Sequence, residues 1–254
     1  MLERERDGKV LRLTFADPER RNALGYAEVG ELLSALRDAE ADAGVRAVLL
    51  TGQGSAFSAG GNLKEFQAEL KASAHDLWDS GAVWADLFHA LPRLRLPVVA
   101  AVNGPAMAGA CGLVAACDLA IASQDASLGL TEVKIGLFPI IVLPAVRRAV
   151  GERVAREMAL TGRILDAGEA LRAGLVNRVV APEALQTEAL GAARDLADLA
   201  PAAMALGKRL LADTADLGYD EAVRHARAMR AAFFHTDDVA EGVAAFLEKR
   251  RPQW

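Results

Sequence analysis

Two apolar segments of the sequence end in glycine-rich turns, and such turns can do chemistry with backbone N–H groups. The first is "RAVLLTGQGSAFSAGGN" (residues 46–62), and the second is "LPVVAAVNGPAMAGACG" (residues 96–112). Glycine lets the backbone approach a ligand closely, and unpaired N–H groups at the start of a helix attract negative charge. The two turns therefore predict a site where the backbone holds an anionic group.

Ser58, within the first turn, offers nucleophilic chemistry as an alternative. The pentapeptide "AFSAG" (56–60) resembles the nucleophile elbow of a serine hydrolase, with alanine in place of the first glycine, and His225 or His235 could serve as its base. However, Ser58 lies several residues beyond the predicted strand, and neither histidine follows a strand. The spacing favours a turn or capping hydroxyl over a nucleophile.

Neither turn matches a nucleotide-binding loop. In "GQGSAF" (52–57), Phe57 stands where a G-x-G-x-x-G loop needs its third glycine, and no acidic residue follows a second strand at the expected distance. No G-x-x-x-x-G-K-[ST] sequence occurs either. The glycine turns therefore do not predict a dinucleotide or nucleoside triphosphate site.

Composition excludes further classes of function. A net charge of −5 gives no basic footprint for nucleic acid. Cys111 and Cys117 have neither metal-ligand nor disulfide-framework spacing, so we expect reduced thiols and no metal site. Reduced thiols, together with a charged start "MLERERDGKV" that does not resemble a secretory signal, lead us to expect a cytoplasmic protein. Residues 96–117 are uncharged and long enough to cross a bilayer, but Asn103-Gly104-Pro105 interrupts them, so no membrane partner is expected.

The elements that must position the turns follow from the hydrophobic patterns. Strands are predicted as a hairpin over 3–15 around Asp7-Gly8, and over 46–52, 96–104, 118–123 and 176–181. Helices are predicted over 27–41, from 63 to 91 with a break, near 109–117, and through most of the chain after residue 140. Strands that alternate with helices and then give way to helices alone predict an α/β core with a helical C-terminal part.

Six segments, in order, make the sequence similar to the enoyl-CoA hydratase/isomerase (crotonase) family across almost its whole length. They are "DPERRNALG" (17–25), "AFSAGGNLKEF" (56–66), "AAVNGPAMAGACGLVAACDLAIAS" (100–123), "ASLGLTEVKIGLFP" (126–139), "RAVGERVAREMALTGRILDAGEALRAGLVNRVV" (148–180) and "EGVAAFLEKRRPQW" (241–254). The resemblance implies a crotonase-like ββα superhelix (a spiral core) over residues 1–195 and a helical trimerisation region over 196–254. It also implies a homotrimer or a dimer of trimers.

The resemblance assigns catalytic roles to three residues. Gly61 and Gly109 match the two backbone N–H donors that hold the enolate of an acyl-CoA thioester, and Glu132 matches a catalytic acid/base. Burial can raise the pKa of a glutamate toward neutrality, which suits proton transfer. The substrate would be an acyl-CoA, so that coenzyme A is part of the substrate and no separate cofactor is expected.

Gly112 marks a departure from the family pattern, because hydratases of the family generally carry a second glutamate there. A single Glu132 could move a proton between C4 and C2, as one-acid members do when they isomerise a 3-enoyl-CoA to a 2-enoyl-CoA. The segments "TEVKIGLFP" (131–139) and "LPAVRRAVGER" (143–153) nevertheless look most like those of bacterial hydratases, and hydration is the activity we predict. Isomerisation is the alternative, and an acyl-CoA-binding protein without turnover is another.

The remaining matches concern substrate contacts, and they imply how CoA is held. Contacts to CoA or to the acyl group are expected at Arg21, Ala23, Leu24, Ala59, Gly61, Asn62, Leu63, Met107, Gly109, Gly112 and Pro139, and, from the C-terminal helices, at Phe246 and Lys249. Asn62 stands where the family usually has aspartate. The acyl-chain length and the pathway are not encoded in any motif that the sequence displays.

Overall fold

A hairpin opens the part of the chain that the computed structural model describes, residues 2–254. Strand β1 (Leu2–Asp7) pairs antiparallel with β2 (Val10–Phe15), and Gly8 turns between them with a φ of 56°. A positive φ strains residues that carry a Cβ, so glycine after Asp7 is the residue that this turn requires. The predicted hairpin is confirmed.

A six-stranded sheet gathers both glycine turns at one edge. The other strands of the structure are β3 (Ala47–Gly52), β4 (Val98–Val102), β5 (Ala106–Met107), β6 (Leu119–Ser123), β7 (Ser127–Gly129), β8 (Ile164–Asp166) and β9 (Arg178–Val180). The large sheet has the order β1-β2-β3-β4-β6-β9, and every pairing after the hairpin is parallel. Since parallel strands end at the same edge, the loops after β3 and β4 lie side by side.

Ten helices surround the described strands. They are α1 (Tyr26–Ala41), α2 (Leu63–Glu69), α3 (Ala74–Ala90), α4 (Gly109–Ala116), α5 (Leu143–Thr161), α6 (Ala167–Ala173), α7 (Leu185–Ala197), α8 (Pro201–Thr214), α9 (Tyr219–Phe234) and α10 (Asp237–Glu248). The alternation of strands and helices, followed by helices alone, confirms the predicted α/β class with a helical C-terminal region.

The central strands are buried on both faces, which explains their continuous apolar sequences. In β3, Val48 and Leu50 join the cluster beneath α1, α3 and α4, whereas Ala47 and Leu49 face the helix α7 on the other side. Alternate residues of a strand point to opposite faces, so one apolar run fills two cores. The sheet edge that carries the turns is thus held rigidly from both sides.

A small second sheet, which the sequence patterns did not predict, lies under the second turn. It has the order β5-β7-β8, with β5 parallel to β7 and β7 antiparallel to β8. The strands contain two or three residues each, too few to show an alternating pattern. This sheet positions β7, whose end leads into Glu132.

A buried lysine joins the C-terminal helices to the core. Lys208 of α8 is 5% exposed, and its Nζ donates to Asp118 Oδ2 at 2.5 Å and to the Leu96 carbonyl at 2.8 Å.

Large apolar side chains on α9 and α10 remain exposed, among them Phe234 and Phe246. Within residues 2–254, no helix has the length and apolar character needed to cross a bilayer.

Candidate active site

The two glycine turns are joined by a short backbone bridge. Ser58 pairs in parallel with Ala106: its N–H donates to the Pro105 carbonyl at 3.1 Å, and its carbonyl accepts from the Met107 N–H at 3.1 Å. Gly60 lies against this bridge, where a Cβ would come within 2.9 Å of Ala108 Cβ. The turns therefore meet because glycine leaves the space for their backbones to touch.

Gly61 is held so that its own N–H is free. The Leu24 N–H donates to the Gly60 carbonyl at 2.8 Å, and the Asn62 N–H donates to the Leu24 carbonyl at 3.1 Å. These two hydrogen bonds use the groups on either side of the Gly61 N–H. The Gly61 N–H itself donates to no group among the described residues. A preorganised N–H without an internal partner is the donor that an oxyanion requires.

Gly109 supplies the second free donor, because it is the first residue of α4. The first N–H groups of a helix have no partner inside it, and they lie at the positive end of the helix dipole. Ala108, immediately before it, has a φ of 51°, which strains a residue with a Cβ. The structure thus holds Ala108 at an unfavourable φ directly before Gly109, the residue whose N–H is the second donor.

A cavity of about 290 Å³ brings both donors together with Glu132. Most of its walls are apolar side chains or backbone, and the lining residues are Tyr26, Gly61, Phe66, Gly81, Trp84, Ala108, Gly109, Glu132, Leu137, Phe138, Pro139, Ile140, Ile141 and Val142. A largely apolar cavity with a few convergent polar groups is the usual form of a small-molecule site.

Glu132 presents an unpaired carboxyl oxygen in this apolar setting. It begins a short 3-10 helix, Glu132–Ile135, just after β7. Its Oε2 is buried and has no hydrogen-bond partner among the described residues. Burial raises the pKa of Glu132, because the charged carboxylate loses its hydration. A carboxyl group of this kind is suited to give or take a proton.

Gly112 lies inside α4, where there is no room for a side chain. A Cβ there would lie 2.8 Å from Val142 Cγ1, closer still to Val142 Cβ, and 3.1 Å from the Phe88 ring. The space that a second glutamate would enter is filled by apolar groups. The departure noted at Gly112 is thus built into the packing around it.

Ser58 has the turn role that its spacing favours. The residue is fully buried, and its Oγ accepts a hydrogen bond from the Gly60 N–H at 3.1 Å. The two histidines considered as its base lie on or just after helix α9, and His225 faces Asp213. A buried hydroxyl engaged by the backbone is poorly placed for attack on a substrate, which weighs against a serine hydrolase.

The residues expected to contact CoA lie on both sides of the Gly61 turn. Arg21 is exposed, and its carbonyl accepts from the Ala59 N–H at 2.8 Å, which ties the two predicted binding segments together. Ala23 is half-buried and Leu63 is exposed. The Asn62 Oδ1 accepts from the Lys64 N–H at 3.1 Å and so caps α2. Their contacts to CoA stay predictions.

Apart from Gly61 and Gly109, Pro139 is the one predicted contact residue in the cavity lining among the described residues. Met107 is half-buried in β5 and lies outside the cavity lining. Phe246 and Lys249, at the end of α10, are exposed and are not part of the cavity lining. Their contact with the CoA of a neighbouring copy of the chain, which the resemblance implies, stays a prediction.

Sequence reasoning missed the aromatic walls of the cavity. Trp84 and Phe88 stack with ring centroids 6.2 Å apart, and Trp84 packs against Gly109, where a Cβ would come within 2.8 Å of the indole. Phe66 lies in the same way against Gly61. The i, i+4 spacing of Trp84 and Phe88 on α3 predicts a shared face but not the cavity behind it.

No group of three or more metal-binding side chains lies together in the described part of the chain.

Comparisons with known proteins agree with this geometry. The profile of the enoyl-CoA hydratase/isomerase family matches residues 5–254. Two bacterial relatives whose names contain the words enoyl-CoA hydratase come from Thermus thermophilus and Rhizobium meliloti. The Thermus thermophilus protein is 43% identical, over 97% of this chain and 98% of its own length. The Rhizobium meliloti protein is 38% identical, over 98% of this chain and 96% of its own length.

Solved structures give the same result for the fold. An enoyl-CoA hydratase from Mycobacterium smegmatis superimposes with a TM-score of 0.94 at 39% identity, over 100% of this chain and 98% of the other. The human enoyl-CoA hydratase domain-containing protein 3 gives a TM-score of 0.93 at 30% identity, over 100% and 99%. The predicted crotonase-like fold with a helical C-terminal region is confirmed.

Proposed function

Since the chain belongs to the enoyl-CoA hydratase/isomerase family, we propose that it is an enoyl-CoA hydratase, a hydro-lyase that adds water across the C2–C3 double bond of a 2-enoyl-CoA. The observation that carries this proposal is one apolar cavity lined by Gly61, Gly109 and Glu132. The names of the bacterial relatives add support.

The two free N–H groups would stabilise the enolate. When water adds at C3, negative charge develops on the thioester oxygen, and the donors at Gly61 and Gly109 are fixed before the reaction begins. One such donor contributes about 3–4 kcal/mol of transition-state stabilisation in measured cases. The apolar walls strengthen these hydrogen bonds, because they exclude competing water.

Glu132 would complete the reaction by moving a proton at C2. Because burial raises its pKa, a larger fraction of Glu132 is protonated at a given pH than for an exposed glutamate. The protonated carboxyl group can deliver its proton to C2 as the enolate collapses. Positioned acid–base groups of this kind contribute roughly 10²–10⁴-fold to rate.

Isomerisation of a 3-enoyl-CoA is the second candidate, and the packing of Gly112 favours it. A single carboxyl group suffices to carry a proton from C4 to C2, and no second carboxyl fits at Gly112. Hydration with Glu132 alone needs another group to bind and deprotonate the water. This requirement separates the two candidate reactions chemically.

Absorbance of the conjugated 2-enoyl thioester distinguishes the two candidates. We expect purified protein to remove the absorbance of crotonyl-CoA, because hydration destroys the conjugation, and the Glu132→Gln variant to lose this activity. Appearance of that absorbance from a 3-enoyl-CoA, without loss from crotonyl-CoA, would instead establish isomerisation. No change with either substrate would leave an acyl-CoA-binding protein, and would refute the proposal.

We further propose that the chain forms a homotrimer or a dimer of trimers, in which Phe246 and Lys249 reach the CoA of a neighbouring copy. The exposure of Phe246, 83% in the single chain, supports a partner at this surface. Two free cysteines suit the cytoplasm as the compartment. Sedimentation of the purified protein measures its oligomeric state.

A further inference from the structure

One residue of the cavity lining, Tyr26, carries a side-chain oxygen and has no role in the turns or in the proton transfer assigned to Glu132. Apart from Glu132, the described lining residues carry two side-chain polar groups, the hydroxyl of Tyr26 and the indole N–H of Trp84. An indole N–H only donates, whereas a phenol oxygen can also accept a hydrogen bond. Tyr26 is therefore the lining residue whose side chain could accept a proton from water.

Tyr26 is held by helix α2 at both its backbone and its hydroxyl. Its N–H donates to Glu65 Oε2 at 2.9 Å, and its hydroxyl donates to Glu69 Oε1 at 2.5 Å. Glu65 and Glu69 are one helical turn apart, so a single face of α2 fixes the residue. Since α2 begins directly after the Gly61 turn, this arrangement also fixes Tyr26 relative to the first oxyanion donor.

Glu69 is bound as an acceptor, which settles the direction of the Tyr26 hydroxyl. Its Oε1 also accepts a hydrogen bond from Ser80 Oγ at 2.6 Å. Gly81, the residue after Ser80, lines the cavity, so this hydrogen-bonded group lies at the cavity wall. With its proton directed to Glu69, the oxygen of Tyr26 has two lone pairs, one for the Ser80 hydroxyl, which also lies within hydrogen-bond reach, and one for a further donor.

We propose that Tyr26 is the second proton-transfer residue of the cavity and that Glu69 is the positioning residue that takes up its proton. This inference rests on the proposed hydration, in which a water molecule must be bound and deprotonated without a glutamate at position 112. The phenol would accept a hydrogen bond from that water. The Tyr26–Glu69 pair thereby supplies what the packing of Gly112 removes.

The step balances without any added reagent. The water oxygen forms a bond to C3 while its proton passes to the Tyr26 oxygen and the Tyr26 proton passes to the Glu69 carboxylate. The C2–C3 π electrons move into the enolate, whose oxygen is held by the N–H groups of Gly61 and Gly109. The enolate then takes the proton of Glu132 at C2, and exchange with solvent returns the proton from Glu69 to Glu132.

Two reactions measured on the same variants test the proposal. Hydration of crotonyl-CoA requires both water activation and proton transfer at C2, whereas exchange of the C2 hydrogen of butyryl-CoA in D₂O requires only Glu132 and the two N–H donors. Tyr26→Phe and Glu69→Gln should lower kcat for hydration by about 100-fold or more, with KM and the exchange rate within about twofold of the wild type. Tyr219→Phe, at the exposed tyrosine that begins α9, is the matched control and should change neither rate.

Each outcome decides a different point. Full hydration activity in Tyr26→Phe would overturn the role of Tyr26. Equal losses of hydration and exchange would show a structural role, and would overturn it as well. If the wild type exchanges the C2 hydrogen but hydrates no 2-enoyl-CoA, the proposed function itself fails, and the role of Tyr26 in water activation fails with it.

Discussion

Replacing Gly112 by alanine should favour the helix but overpack the core, and the structure predicts that the net effect is a loss of stability. In a helix interior, alanine is more favourable than glycine by about 1 kcal/mol. At Gly112, however, the new Cβ would lie 2.8 Å from Val142 Cγ1 and closer still to Val142 Cβ. Real side-chain contacts are not so short, and Cβ is the branch point of the valine, so the side chain cannot rotate away.

The expected magnitude follows from the cost of overpacking a well-filled core. Forced displacements of this kind cost about 1–3 kcal/mol, and the overlap with a branch point places Gly112→Ala at the upper part of that range. After subtraction of the propensity gain, we expect a net destabilisation of about 1–2 kcal/mol. For a chain of this size, the unfolding midpoint should fall by about 2–4 °C per kcal/mol.

Thermal and urea denaturation of Gly112→Ala should be compared with Gly191→Ala. Gly191 lies within α7, where a Cβ would meet nothing within 4 Å, so the control reports propensity alone and should stabilise the protein. Val142→Gly combined with Gly112→Ala should destabilise by less than the sum of the two single changes, since the overlap is removed. A Gly112→Ala variant as stable as Gly191→Ala would refute the packing argument.

Three further predictions concern stability and reactivity. Burial raises the pKa of Glu132, so the folded state binds its proton more tightly than the unfolded state, and this stabilisation is lost as pH rises from the unfolded pKa of 4.5 through the folded pKa. Above this pH window, Glu132→Gln should therefore unfold at a higher temperature than the wild type. A difference in unfolding temperature that stays the same across the pH range would contradict this prediction. Lys208→Met removes the donor to the partly exposed Asp118 and to the Leu96 carbonyl and should cost about 1–3 kcal/mol in urea denaturation, whereas an unchanged midpoint would show that this ion pair is not an anchor. The wild type should take up no fluorophosphonate, because Ser58 is buried, and labelling that Ser58→Ala abolishes would revive the hydrolase alternative.

The sequence predicted the parts of the site that short local patterns encode. A buried apolar strand followed by glycines indicates where β3 and β4 end, and Gly109 was expected at a helix start, where the structure places it. The hairpin around Gly8 follows from local turn chemistry in the same way. In each case a few neighbouring residues contain the information, because backbone geometry is local.

The parts that the sequence did not predict depend on residues far apart in the chain. Val142 fills the space beside Gly112, and no spacing rule links a position inside α4 with the residue just before α5. The contact between Tyr26 and Glu69 likewise exists only once α1 and α2 have packed together. The strained backbone of Ala108 is invisible in the sequence, because alanine is not a residue that marks a positive φ.

A crystal structure with butyryl-CoA bound would show where the thioester oxygen is held, and the proposed chemistry depends on that position. We predict this oxygen at about 2.7–3.1 Å from the backbone nitrogens of both Gly61 and Gly109, with the carboxyl group of Glu132 facing C2. A thioester oxygen bound away from these two nitrogens, or an acyl chain outside the cavity, would contradict the account.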